Sequence, residues 1–173
     1  FDGTSAVMLS GESAAGKYPV ETVKAMAKIV EQAEQDAEEV NQYKFLEVEA
    51  EEGDVSNAIG HAACTMAADI KAGAVIAVTT SGYTAEKMAK YRPSEPIIAA
   101  TPRMKTYHQQ ALTRGVYPLK IKFSSEWNEL MKEAIEGAKR TSLVKQGDSI
   151  VLSAGMPLRS TGTTNLIRVA SVE

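Results

Sequence analysis

Four short apolar runs, at residues 74–78, 96–100, 116–121 and 149–153, alternate with stretches of helical spacing. This alternation constrains the fold more than any other feature. Parallel strands need a crossover of a dozen or more residues, and a helix is the usual one. The pattern predicts an α/β fold: a mainly parallel sheet of about five strands with helices on both faces. Ala74-Val-Ile-Ala-Val78 shows no polar alternation, which fits a strand buried on both sides. A last run at residues 165–169 follows the fourth so closely that it predicts an antiparallel pair. In such sheets ligands sit beyond the carboxyl ends of the strands. That directs attention to residues 79–84, 101–106, 122–126 and 154–163.

Helices fill the gaps. Val20, Val23, Ala27, Val30, Ala33 and Ala37 recur at helical spacing behind Pro19 and predict a helix over residues 20–41. Residues 42–54 read as a connector. Ile59, Ala62, Ala63, Met66, Ala67 and Ile70 make one apolar face, with Asp54 or Ser56 as cap and Gly73 at the end. Residues 84–91, 102–114 and 126–144 read as three more helices, the last capped by Ser124 or Ser125. Ser5-Ala-Val-Met-Leu9 is a further apolar run and predicts a buried strand.

Composition removes several classes of function. One Cys in 173 residues excludes a disulfide framework within the chain and a Cys-rich zinc site. Two His, His61 and His108, argue against a His-based metal cluster, and no metal site is expected. No apolar run approaches the ~18 residues of a membrane span, and no signal peptide is visible. The chain begins at Phe1 in mid-pattern, so a piece of a longer protein is expected. Net charge is −3 but unevenly placed. Residues 31–54 hold ten acids and one base, which reads as a solvated helix surface and linker. Residues 71–122 hold nine Lys or Arg and two acids. The overall negative charge and the absence of an aromatic-interleaved basic patch argue against a nucleic-acid partner.

The strongest candidate site is the turn Thr79-Thr80-Ser81-Gly82-Tyr83-Thr84. It leaves a buried strand and enters a helix. Amide N–H groups at a helix start are unsatisfied donors carrying partial positive charge, which suits a phosphate. Gly82 allows the backbone to approach the anion closely. A plain capped turn is the alternative reading. A helix start contributes roughly 0.3–2 kcal/mol toward an anion, whereas micromolar binding needs about 8 kcal/mol. A second element is therefore required. Arg159, with Ser160, Thr161 and Gly162 in the loop 155–163, is the natural candidate, because a guanidinium grips phosphate in bidentate fashion.

A second candidate, Gly11-Glu-Ser-Ala-Ala-Gly16-Lys17-Tyr18, nearly matches a nucleotide phosphate loop. It fails at Tyr18, where the chemistry needs a small hydroxyl on magnesium, and Pro19 follows at once. Cys64 falls among small apolar residues and reads as a core thiol. His61, His108 and Trp127 read as structural. No nucleophile–base pair emerges, so no catalytic residue is assigned.

Taken in order, several strings resemble pyruvate kinase. Residues 2–19, from Asp2-Gly-Thr-Ser to Gly-Lys-Tyr-Pro19, look like the last strand and following loop of that family's catalytic barrel. Residues 74–85, Tyr91-Arg-Pro93, residues 96–102, Gly115-Val-Tyr-Pro118 and Gly162-Thr-Thr-Asn165 look like its C-terminal domain, in family order. The turn and loop chemistry look bacterial. The resemblance implies two parts: residues 1–32, a remnant of the (β/α) barrel, and residues 33–173, a C-terminal regulatory domain.

The family transfers phosphate from phosphoenolpyruvate to ADP with magnesium and usually potassium. The resemblance places its catalytic Arg, Lys, Glu and Asp in earlier barrel strands. Ser10 and Glu12 border the family's active-site mouth but cannot run the reaction alone, so the chain by itself is expected to be inactive and without cofactor. The resemblance implies that residues 79–84 hold the phosphate of a sugar phosphate or AMP effector, and that residues 155–162 close over it. Thr80 and Leu130 stand where some bisphosphate-responsive animal enzymes have Lys and Arg. That disfavours a second phosphate unless Arg159 compensates. It also implies the rest of the kinase chain as a partner, a homo-oligomer (a tetramer in the family), and a cytoplasmic location. Two other readings stay open: a purely structural oligomerisation domain, and an independent phosphatase or kinase working through residues 11–18.

Overall fold

The computed structural model describes residues 4–39, 53–158 and 162–173. The chain divides into two compact units, Phe1–Leu46 and Glu47–Glu173.

In the first unit, helix α1 spans Gly11–Ala14 and α2 spans Pro19–Glu39. Pro19 opens α2 at the position where its missing N–H costs nothing. The Thr22 hydroxyl and N–H both donate to the Tyr18 carbonyl, at 2.8 and 3.0 Å. The buried strand expected at residues 5–9 is not formed: residues 4–10 have no regular structure, and Met8 is 82 % exposed. An apolar run becomes a strand only where neighbouring strands take its backbone groups, and this unit holds none among its described residues.

The second unit begins with α3, Val55–Asp69. Asp54 is its cap, accepting the Asn57 N–H at 2.9 Å, and Ser56 lies inside the first turn. Five strands then alternate with three helices: β1 Ala74–Val78, α4 Tyr83–Ala89, β2 Ile97–Thr101, α5 Met104–Gln110, β3 Val116–Lys120, α6 Trp127–Arg140, β4 Ser149–Ala154 and β5 Leu166–Ser171. The sheet order is β3-β2-β1-β4-β5. All pairs are parallel except β4–β5. Ile76 stands opposite Ile98 on one side and Leu152 on the other.

Because side chains alternate along a strand, each apolar run feeds two cores. Ile76, Ile98, Ile150 and Leu152 meet Leu130, Ala134 and Ala138 of α6 on one face. Val75, Ala77, Ile97 and Val151 meet Ala63, Cys64 and Ala67 of α3 and Ala85 and Met88 of α4 on the other. Each fully buried aliphatic chain contributes about 1.5–3 kcal/mol. Fully apolar runs are therefore what a sheet covered on both sides requires.

Helix ends differ from the sequence expectation in α4, α5 and α6. α4 stops before Tyr91, ahead of left-handed Arg92 (φ 47) and Pro93. α5 stops at Gln110 rather than Arg114, because the chain must turn through left-handed Gly115 (φ 71) into β3. α6 starts behind Glu126 and neither serine caps it: Ser124 instead accepts the Glu126 N–H at 3.0 Å and donates to Glu129 at 2.8 Å. It ends at Arg140, before left-handed Ser142 (φ 62), rather than at residue 144. Among the described residues no helix is long and apolar enough to cross a membrane.

Candidate functional site

The chain leaves β1 toward β2 on one side and returns as β4 on the other. Two loops therefore diverge from adjacent strand ends, which is where open α/β sheets form a crevice. Here that crevice is a cleft of about 540 Å³, its open mouth included. Thr79, Thr80, Ser81, Tyr83 and Thr84 line one side. Pro102 after β2, Phe123 after β3, Leu130 on α6 and Leu158 after β4 supply apolar wall, and Gly155, Gly162 and Thr163 complete it.

The turn is held in shape by its own hydroxyls. Thr79 Oγ1 accepts the Gly82 N–H at 3.0 Å, and Ser81 Oγ accepts the Tyr83 N–H at 3.4 Å. The amides of Thr80, Ser81 and Thr84 donate to no group among the described residues. Gly82 caps α4 in the left-handed region, φ 95, and a Cβ there would collide with the Gln110 side-chain amide. Helix α5 braces the turn from behind. Thr106 Oγ1 donates to the Thr80 carbonyl at 2.8 Å, and the buried Gln110 donates to Glu86 Oε1 at 2.8 Å.

The opposite loop is pinned at both ends. Asn165 accepts the Met156 N–H at 2.8 Å and donates back to its carbonyl at 2.7 Å. Thr164 shares a 2.8 Å hydroxyl hydrogen bond with Thr84, and its N–H donates to Ser56 Oγ at 3.0 Å. Arg159, Ser160 and Thr161 lie outside the described residues; Leu158 and Gly162, on either side of them in sequence, line the cleft.

Charge sits just behind the wall. Lys87 Nζ binds Asp54 Oδ2 at 2.6 Å and lies 5.3 Å from the centroid of the Tyr83 ring. The hydrogen bond to Lys87 holds the Asp54 carboxyl below the usual carboxylate range, and the same bond raises Lys87. No Lys or Arg side chain is among the described residues that line the cleft itself.

Of the residues expected at the site, Thr79, Thr80, Ser81, Tyr83, Thr84 and Gly162 line the cleft, since the turn and the loop both follow strands that lie side by side. Pro102, Phe123 and Leu158 fall in the segments 101–106, 122–126 and 154–163 that the strand ends single out, but an apolar side chain gives no chemical signal by which to name it as a wall residue. The other candidates are plainer. Gly11–Ala14 is a helical turn, not a loop wrapped about an anion, and the Ser10 N–H is taken by Glu12 Oε2 at 3.0 Å. Cys64 is fully buried, its thiol pushed up to about 12 chiefly by burial and secondarily by Glu95. The His61 ring lies 4.8 Å from Tyr91, His108 meets Tyr107 edge-on at 5.4 Å, and Trp127 packs on the α6 core. Among the described residues no three His, Cys, Asp or Glu side chains are grouped to hold a metal ion.

The family model "Pyruvate kinase, alpha/beta domain" matches residues 57–170. The whole chain is 44 % identical over 176 residues to a pyruvate kinase of Clostridium acetobutylicum, covering 36 % of that protein. It is 36 % identical over 173 residues to one from Thermotoga maritima, again covering 36 % of it. A pyruvate kinase of Geobacillus stearothermophilus is 41 % identical over 98 % of this chain and 29 % of its own length. The chain thus spans about a third of the length of the curated relatives it matches. Fold, register of motifs and similarity agree: this chain belongs to the pyruvate kinase family, and residues 57–170 are its alpha/beta domain.

Proposed function

We propose that residues 33–173 form an effector-binding regulatory domain that takes one phosphorylated metabolite in the cleft between β1 and β4. One observation carries this reading. The turn at residues 79–84 lines a cleft at the strand-order reversal, and among the described residues the amides of Thr80, Ser81 and Thr84 have no acceptor. Amides and hydroxyls there make a phosphate-sized donor set without a cation. Arg159 supplies the second, cationic element. It is flanked in sequence by cleft residues, and helix-start donors alone fall several kcal/mol short of micromolar affinity. The opposite wall is apolar, with Leu130 and Pro102. This favours a ligand with one phosphate and a less polar body, such as AMP or a sugar monophosphate, over a sugar bisphosphate.

In this reading the complete enzyme transfers phosphate from phosphoenolpyruvate to ADP in the cytoplasm, with magnesium and potassium. Among the described residues no three His, Cys, Asp or Glu side chains are placed to hold the magnesium. Residues 1–32 are a remnant of the catalytic barrel in this reading, and the chain by itself is inactive.

Calorimetric titration with AMP, ribose 5-phosphate, glucose 6-phosphate and fructose 1,6-bisphosphate tests the proposal. At least one monophosphate binds, and Thr84→Ala with Arg159→Ala weakens it. A folded sample that binds none of the four overturns the reading. A second reading, self-association, is favoured by β5, an edge strand with Arg168 and Val169 exposed. Sedimentation separates the two: a ligand-insensitive oligomer supports assembly alone.

A further inference from the structure

The wall of the cleft made by α4 is fastened at two points to the start of α3. Thr84 lines the cleft and shares its hydroxyl with Thr164, whose N–H donates to Ser56 Oγ. These three residues are 4 %, 1 % and 7 % exposed, so water does not replace a missing partner there. Tyr83, also in the wall, lies beneath the Lys87 ammonium, which binds Asp54. The other Asp54 oxygen caps α3 through the Asn57 N–H. Both bridges end within one turn of α3. Each joins residues distant in sequence, 80 and 108 positions apart in the first bridge and 33 in the second.

We propose that the two bridges make the first turn of α3 and the Thr84 wall of the cleft one cooperative element, with Ser56 and Asp54 as positioning residues for the cleft. The coupling stands on the bridges; its regulatory meaning rests on the ligand reading above. Two hydroxyls at hydrogen-bond distance share one proton between them. When Thr84 donates to an anion in the cleft, Thr164 must donate to Thr84, and both stay satisfied only while the bridge is closed. A ligand selecting the closed wall therefore holds the start of α3 closed by the same factor. The point where the chain enters the sheet unit thus reports on the cleft.

Amide hydrogen exchange of the full chain, resolved by residue, tests this. Ser56→Ala leaves the Thr164 N–H buried without its acceptor. Protection at residues 86–88 of α4 falls about tenfold, together with residues 58–60 of α3, while β2 and β3 keep theirs. From the other end, Thr84→Val loosens residues 58–60, and Thr84→Ser, which keeps the hydroxyl, restores them. Asp54→Asn retains a cap but weakens the second bridge, and loosens the same residues less. Loss confined to the mutated helix, or spread evenly over the sheet, overturns the coupling. Any of the four titration probes that binds slows exchange at residues 58–60 and 86–88 by a common factor. Binding without that effect also overturns the coupling. If none binds, the ligand reading falls and the variants still decide the coupling.

Discussion

The side-chain amide of Gln110 occupies the space that a Cβ on residue 82 would need. Gly82 is therefore required twice, by its left-handed backbone (φ 95) and by a buried neighbour that is itself tied to Glu86. Gly82→Ala destabilises the fold by about 2–4 kcal/mol and, in the ligand reading proposed above, removes phosphate binding. Gly147 has a similar φ, 91, but open space around it. Gly147→Ala costs only the backbone strain, about 1–2 kcal/mol. Urea denaturation of both variants measures the difference, and equal losses would show that Gln110 yields.

The Asp54–Lys87 pair makes stability depend on pH in a defined way. Asp54 is lowered, first by the Lys87 hydrogen bond and then by the Asn57 amide, so its contribution is present above the ordinary carboxylate pKa and is lost as pH falls through the lowered value. Lys87 is raised by the same bond, so its contribution is present below the ordinary lysine pKa and lost as pH rises through the raised value. Wild type and Asp54→Asn differ by a constant amount between the ordinary carboxylate and ordinary lysine ranges, and the gap closes as pH falls through the lowered Asp54 value. Thermal melts across pH give the curve. A gap that persists in acid contradicts the assignment.

Thr80 is half-buried at the rim of the cleft. Thr80→Lys adds a cation where the described wall has none. Affinity for a ligand with a second phosphate rises about fivefold at low ionic strength, and the gain shrinks in ~0.5 M salt. Affinity for AMP changes less. Calorimetry at two salt concentrations is the measurement.

Cys64 is a thiol well above neutral pH, since burial pushes it up to about 12. Its reaction with iodoacetamide at pH 8 proceeds only through opened molecules. Labelling in native buffer is slower than in urea by at least about a thousandfold, and it accelerates in step with any variant that destabilises the sheet unit. Rapid native labelling would place the thiol in a locally mobile region.

Much of this was legible because both-face burial leaves a strong mark. Ala74–Val78 was read to the residue, since a strand with no polar face has no other home in a soluble sheet. The same mark misled at residues 5–9, where the apolar run has no strand beside it among the described residues. Sequence shows that a run is apolar but not whether a partner is within reach. Boundaries slipped at α5, where the chain turns through left-handed Gly115, and at α6, where Ser124 binds locally instead of capping. The turn at residues 79–84 was found from its own chemistry. The Thr84–Thr164–Ser56 bridge was invisible, because its members are ordinary hydroxyls made neighbours by the fold.

Placing β4 beside β1 has a consequence for biosynthesis. The two halves of the cleft are made far apart in time, with β2, β3 and three helices translated in between. A nascent chain that has completed the first half still lacks the second, and must wait for its final strands to leave the ribosome. Any ligand that needs both walls of this crevice finds no site on a chain that has not yet formed β4.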